Sequence, residues 1–92
     1  MNSGIIRKRI VFNGWVQGVG FRYRAYYAAE SAGATGWVKN NFDGSVTMEI
    51  QGTESQIDQV IAAISRGTYI KIDSMDCTSL TPDPEERRFR IN

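Results

Sequence analysis

Residues 5–40 read "IIRKRIVFNGWVQGVGFRYRAYYAAESAGATGWVKN", and the hydrophobic period changes twice within them. Residues 5–16 are rich in β-branched and aromatic types and predict a strand. Their alternation is imperfect, so the residues do not assign its two faces. The glycine-rich turn "QGVG" follows. Phe21, Ala25, Ala28, Ala29 and Ala32 then recur at helical spacing, and Gly33 is a natural stop. Residues 35–40 return to a strand pattern.

Working outward, residues 45–50 alternate Val46, Met48 and Ile50 with Thr47 and Glu49, a second strand for a hairpin turned by Asp43-Gly44. Thr53 and Gln56 have capping-box spacing, and Ile57, Val60, Ile61 and Ile64 continue a second helix up to Gly67. Residues 70–80 predict a fourth strand. Its alternation breaks between Ile72 and Met75, which suggests a bulge. Pro82 and Pro84 mark a loop, and Phe89 and Ile91 fit a short closing strand. The order β-α-β-β-α-β, with a possible short fifth strand, predicts an α+β, ferredoxin-like sandwich. In it an antiparallel sheet carries two helices on one face.

The chain has 92 residues, too few for two independent cores. One domain over residues 1–92 is expected, with residues 1–4 flexible. No apolar run approaches a membrane span, and the first residues lack a signal-peptide pattern. Cys77 is the only cysteine, which excludes an internal disulfide and a multi-cysteine metal site and fits a reducing, cytoplasmic home. There is no histidine. Ser-His-Asp and Cys-His nucleophiles, His-ligated zinc and a His general base are therefore excluded.

Formal charge is +5 over residues 1–42 and −4 over residues 43–92. The asymmetry suggests an anionic ligand held by the first half, although Arg7-Lys8-Arg9 reads more simply as a solvated stretch. "VQGVGFR" at 16–22 is the segment best suited to an anion. Gly18 and Gly20 let the backbone approach a ligand closely. Successive amides in such a turn form an anion-binding nest, and the helix start adds free N–H groups and its positive dipole end. Arg22 brings a planar guanidinium to the same point. The spacing is neither a P-loop nor a dinucleotide fingerprint. On these grounds alone a tight turn before an alanine-rich helix explains it better.

The blocks "VQGVGFR" at 16–22, "GWVKN" at 36–40 and "DGSV" at 43–46 together resemble the acylphosphatase family. "IQGTESQIDQVI" and "IDSMDC" fit weaker parts of its pattern, so the resemblance spans nearly the whole chain. It implies hydrolysis of acyl phosphates to a carboxylate and inorganic phosphate, without metal or cofactor. The family's phosphate-binding arginine falls on Arg22 and its catalytic asparagine on Asn40. Asn41 is adjacent, but spacing from Gly36-Trp37 favours Asn40. The phosphate cradle falls on Gln17, Gly18, Val19, Gly20, Phe21 and Arg22. Inorganic phosphate is then product and inhibitor, and a monomer without nucleic-acid or membrane partners is expected.

The remaining residues read as structural. Gly14 fits a bulge or close packing, and Tyr23, Tyr26 and Tyr27 fit packing and surface positions. Trp15 and Trp37 fit partly buried strand residues, with lining of an acyl-group groove as the other reading. Cys77 fits a small buried hydrophobe, and Asp73, Asp76, Asp83, Glu85 and Glu86 fit solvated acids. A ferredoxin-like sheet can also bind single-stranded RNA, but the aromatics of "GFRYRAYY" fall on a helix rather than on central strands. An anion-binding or regulatory part of a larger assembly is the other rival.

Overall fold

A computed structural model describes residues 4–92. The elements are β1 (Ile6–Trp15), α1 (Phe21–Ala32), β2 (Thr35–Asn40), β3 (Val46–Gly52), α2 (Glu54–Ser65), β4 (Lys71–Leu80) and β5 (Phe89–Ile91). The expected flexibility of residues 1–4 falls, apart from Gly4, outside the described residues.

The helices end where the sequence chemistry puts their ends. Gly33 adopts a left-handed conformation after α1, and Ala34 N–H returns to Ala29 O at 2.9 Å. Thr53 and Gln56 form both bonds of a capping box at the start of α2. The helices contact each other and cover one face of the sheet. Ile10, Phe12, Val38, Val46, Met48 and Ile50 from the sheet are fully buried there, with Ala25 and Ala29 of α1 and Ile57, Val60 and Ile64 of α2. Phe12 and Phe21 meet edge-on at 4.9 Å and fix α1 to β1.

The strand order is β4-β1-β3-β2-β5. β1 pairs antiparallel with β3 and β4, and β2 antiparallel with β3. The closing strand departs from the expected all-antiparallel sheet. β5 runs parallel to β2, so the sheet is mixed. The chain leaves β4 at one edge, crosses the sheet face opposite the helices and joins the far edge. Gln51 Nε2 donates to Asp83 O at 2.9 Å on this crossing, and Gly36 N–H donates to Arg88 O at 3.2 Å at its end.

The crossing also accounts for polar burial on that face. Arg7, Thr47, Glu49 and Gln51 are buried. Arg7 pairs with Glu49 at 3.0 Å and Glu86 at 2.8 Å, and Arg9 with Glu49 at 2.6 Å. Two expectations change here. Arg7 is not solvated and Glu86 is not a solvated acid; Arg7 and Arg9 pair with acids of the second half. Cys77 is also corrected. It is exposed, because the helices pack over β2, β3 and β5 and leave most of β4 uncovered.

The bulge lies where the alternation breaks. Asn13 faces Ser74 and Gly14 faces Ile72, leaving Asp73 as the extra residue of β4. A side chain at Gly14 would put its Cβ 2.2 Å from Lys71 O, so close packing requires glycine there.

Candidate active site

The segment between β1 and α1 crosses the end of the sheet beside the β2–β3 hairpin. Gly18 and Gly20 both have positive φ, 72° and 79°, and open space lies where a Cβ would stand. Gly20 is the N-cap of α1, and no side chain caps the helix. No acid lies in the first turn. Among the described residues, no protein oxygen accepts from the main-chain amides of residues 17–23. Uncapped amides at a helix N-terminus favour an anion.

A pocket of about 130 Å³ opens at this point, lined by Val16, Gly18, Gly20, Phe21, Arg22, Tyr23 and Asn40. Asn40 reaches it because it pairs with Val46 at the end of β2, on the helix-bearing face of the sheet. Arg22 is half-buried and takes part in no ion pair among the described residues. Arg24, one half-turn on, is committed elsewhere, its Nε donating to Ala63 O at 2.7 Å. The Asn40 carboxamide is exposed and bonds to no described residue. Asn41 by contrast donates to Ser45 Oγ at 2.9 Å and Thr47 Oγ1 at 2.6 Å. Of the two asparagines, Asn40 is therefore the one with a free side chain at the pocket.

The seven sequence-identified residues do not all line this pocket. Gly18, Gly20, Phe21, Arg22 and Asn40 do, and Gln17 and Val19 do not. The Gln17 side chain turns away and donates to Asn41 O at 2.7 Å and Ser45 O at 2.8 Å, tying the loop to the hairpin. Val19 packs partly buried against the core. The hairpin is itself braced, since Asp43 Oδ1 accepts from Ser45 N–H at 3.0 Å and from Ser45 Oγ at 2.6 Å. Those two bonds hold the Asp43 carboxyl below its ordinary range. Val16, the first residue of the motif, and Tyr23, just beyond it, also line the pocket and lie outside the expected cradle. Among the described residues, no three Asp, Glu or Cys side chains group as a metal site.

The acylphosphatase family model matches residues 8–91. The chain belongs to the acylphosphatase family. An acylphosphatase of Geobacillus thermodenitrificans is 43% identical over 86 residues, covering 92% of each chain. Another, from Clostridium perfringens, is 41% identical over 92% of this chain and 97% of its own. The crystal structure of acylphosphatase from Bacillus subtilis superposes with a TM-score of 0.86 at 33% identity, over 95% of this chain and 98% of that one. The match to acylphosphatases therefore extends over almost all of the described chain. Trp15 and Trp37 part company in it. Trp37 is half-buried on the face away from the helices, opposite Glu49, whereas Trp15 is 70% exposed and lies beside the loop. The expectation of a partly buried Trp15 is corrected, because no described residue covers its side chain at the end of β1.

Proposed function

We infer that this acylphosphatase hydrolyses the carboxyl–phosphate bond of acyl phosphates with the residues of the loop pocket. The loop amides at the pocket, those of Gly18, Gly20, Phe21 and Arg22, cradle the non-bridging phosphoryl oxygens, and the Arg22 guanidinium neutralises their charge. A neutral carboxamide takes no proton near pH 7, so Asn40 acts by hydrogen-bonding a water and aiming it at phosphorus. The water oxygen bonds to phosphorus as the bond to the acyl oxygen breaks. Its electron pair leaves on the carboxylate, and the water's proton passes to a phosphoryl oxygen. The observation that carries this reading is the convergence of uncapped amides, an unpaired Arg22 and a free Asn40 on one pocket.

The substrate class follows from the same chemistry. A carboxylate leaving group has a conjugate acid of pKa about 4–5, so it departs without a general acid. Alkyl esters release far more basic alkoxides and need one. Phosphoryl transfer is otherwise positioning and charge stabilisation, which a nest and an arginine supply. The reaction as we propose it needs no metal.

We read the chain as a single-domain, monomeric, cytoplasmic enzyme. Its single exposed thiol suits a reducing compartment. No nucleic-acid or membrane partner is proposed. Arg7 and Arg9 are taken up by Glu49 and Glu86, and no described helix is long and apolar enough to cross a membrane. The test is hydrolysis of benzoyl phosphate with EDTA present. Turnover by the wild type and its loss in Arg22→Gln, together with loss of phosphate inhibition, is the expected result. Absence of wild-type turnover, or an unimpaired Arg22→Gln, overturns the reading.

A further inference from the structure

The Asn40 side chain bonds to no described residue, so its aim depends on the backbone that carries it. On one side that backbone is fixed by the pairing of Asn40 with Val46. On the other, Asn41 N–H donates to Ser45 O at 2.8 Å, which sets the peptide plane between Asn40 and Asn41. Asn41 is in turn held through its side chain, whose Nδ2 donates to Ser45 Oγ at 2.9 Å and to Thr47 Oγ1 at 2.6 Å.

The first of those bonds needs the Ser45 hydroxyl as an acceptor. A hydroxyl has one proton, and here it goes to Asp43 Oδ1 at 2.6 Å. The same carboxylate oxygen accepts from Ser45 N–H at 3.0 Å. An ionised carboxylate only accepts, so it fixes the direction of the whole chain, from Asn41 Nδ2 to Ser45 Oγ to Asp43. Without it the hydroxyl can turn its proton toward Asn41, and the amide loses its acceptor. Asp43 forms no ion pair among the described residues and does not line the pocket. Gln17 ties the β1–α1 loop to the carbonyl oxygens of Asn41 and Ser45, not to the side chains of this chain of bonds. The loop and the relay are therefore separately attached.

We propose that Asp43 is a positioning residue for the hydrolysis, acting through the Ser45 hydroxyl on Asn41 and so holding Asn40 at the angle at which it aims the water. The proposal rests on the hydrolytic reading above and adds to it a residue outside the pocket. Asp43 itself touches neither the phosphoryl group nor the water.

Asp43 is exposed at the hairpin turn, so replacing it removes no core contact. Steady-state kinetics on benzoyl phosphate give the test. Asp43→Ala lowers kcat about tenfold, while the inhibition constant for inorganic phosphate stays within about twofold. Asp43→Asn, whose side-chain oxygen still accepts from Ser45, keeps kcat within about twofold of wild type. A wild-type kcat in Asp43→Ala, a matching loss of phosphate inhibition, or a failure of Asp43→Asn to recover the rate overturns the proposal and leaves hydrolysis standing. If wild type does not cleave benzoyl phosphate, the hydrolytic reading fails and the role of Asp43 with it. A second readout is independent of turnover. In ¹⁵N-labelled protein the side-chain amide signals of Asn41 move in Asp43→Ala and return in Asp43→Asn. Asn41 signals unmoved in Asp43→Ala also overturn the relay.

Discussion

Two pairs of like residues separate at the candidate site. Arg24 is tied to Ala63 O, whereas Arg22, at the pocket, takes part in no ion pair among the described residues. Asn41 braces the hairpin through Ser45 and Thr47, whereas Asn40 is free. Asn40→Ala is therefore expected to lower kcat on benzoyl phosphate at least about 100-fold, the usual order for losing a positioned polar group. Its inhibition constant for inorganic phosphate stays within about twofold, measured by competition. Arg22→Gln loses turnover and phosphate inhibition together. The spacing in "GWVKN" pointed to Asn40, and it is Asn40 rather than Asn41 that lines the pocket. The role of the Gln17 side chain was not legible, because its acceptors, Asn41 O and Ser45 O, lie 24 and 28 residues away. Gln17→Ala should raise KM more than it lowers kcat, since the released loop must be ordered by the substrate.

At the scale of elements, β1 and β3 carry the clearest energetic test. Arg7 and Glu49 have side chains only 7% and 10% exposed, and Glu86 completes the cluster. Removing one partner of a buried ion pair strands the others and costs about 3–5 kcal/mol. Arg7→Met is expected to lose that much in urea unfolding, and Arg7→Met with Glu86→Leu to regain part of it. The cluster also sets the acid limit. Burial works against the ionised Glu49, but hydrogen bonds and charge from Arg9 and Arg7 outweigh it and hold its carboxyl below the ordinary range. The folded form thus binds fewer protons than the unfolded chain near the ordinary glutamate pKa of about 4.3. This stabilisation is complete above that value and disappears as pH falls through the lower folded one. Glu49→Gln should flatten the acid limb of a stability–pH curve.

These elements also mark where sequence reasoning stops. Helix ends and the hairpin are set by neighbours within a few residues and were readable; the bulge at Asp73 was readable from the broken alternation of β4, although Gly14, opposite it on β1, lies far away in the chain. The surroundings of Arg7 were not readable, since Glu49 and Glu86 lie 42 and 79 residues away. The fourth-strand pattern of Ile70, Ile72, Met75 and Cys77 was readable too. That the helices leave most of that strand uncovered is a property of the assembled layers, and so Cys77 is exposed.

Across the whole molecule, the order of elements implied the sandwich, but not the direction of the last strand. A short "FRI" fits either orientation, and the crossing of residues 81–88 over the open face decides it. The same assembly brings the β1–α1 loop, the end of β2 and the turn before β4 to one end of the sheet. The loop amides there are the center of the proposed chemistry. Titration of ¹⁵N-labelled protein with inorganic phosphate tests them most directly. The largest, saturable amide shifts are expected at Gly18 to Arg22, and Arg22→Gln should weaken them. Shifts confined to Arg87, Arg88 and Arg90, with the loop amides unmoved, would contradict phosphate binding by the loop.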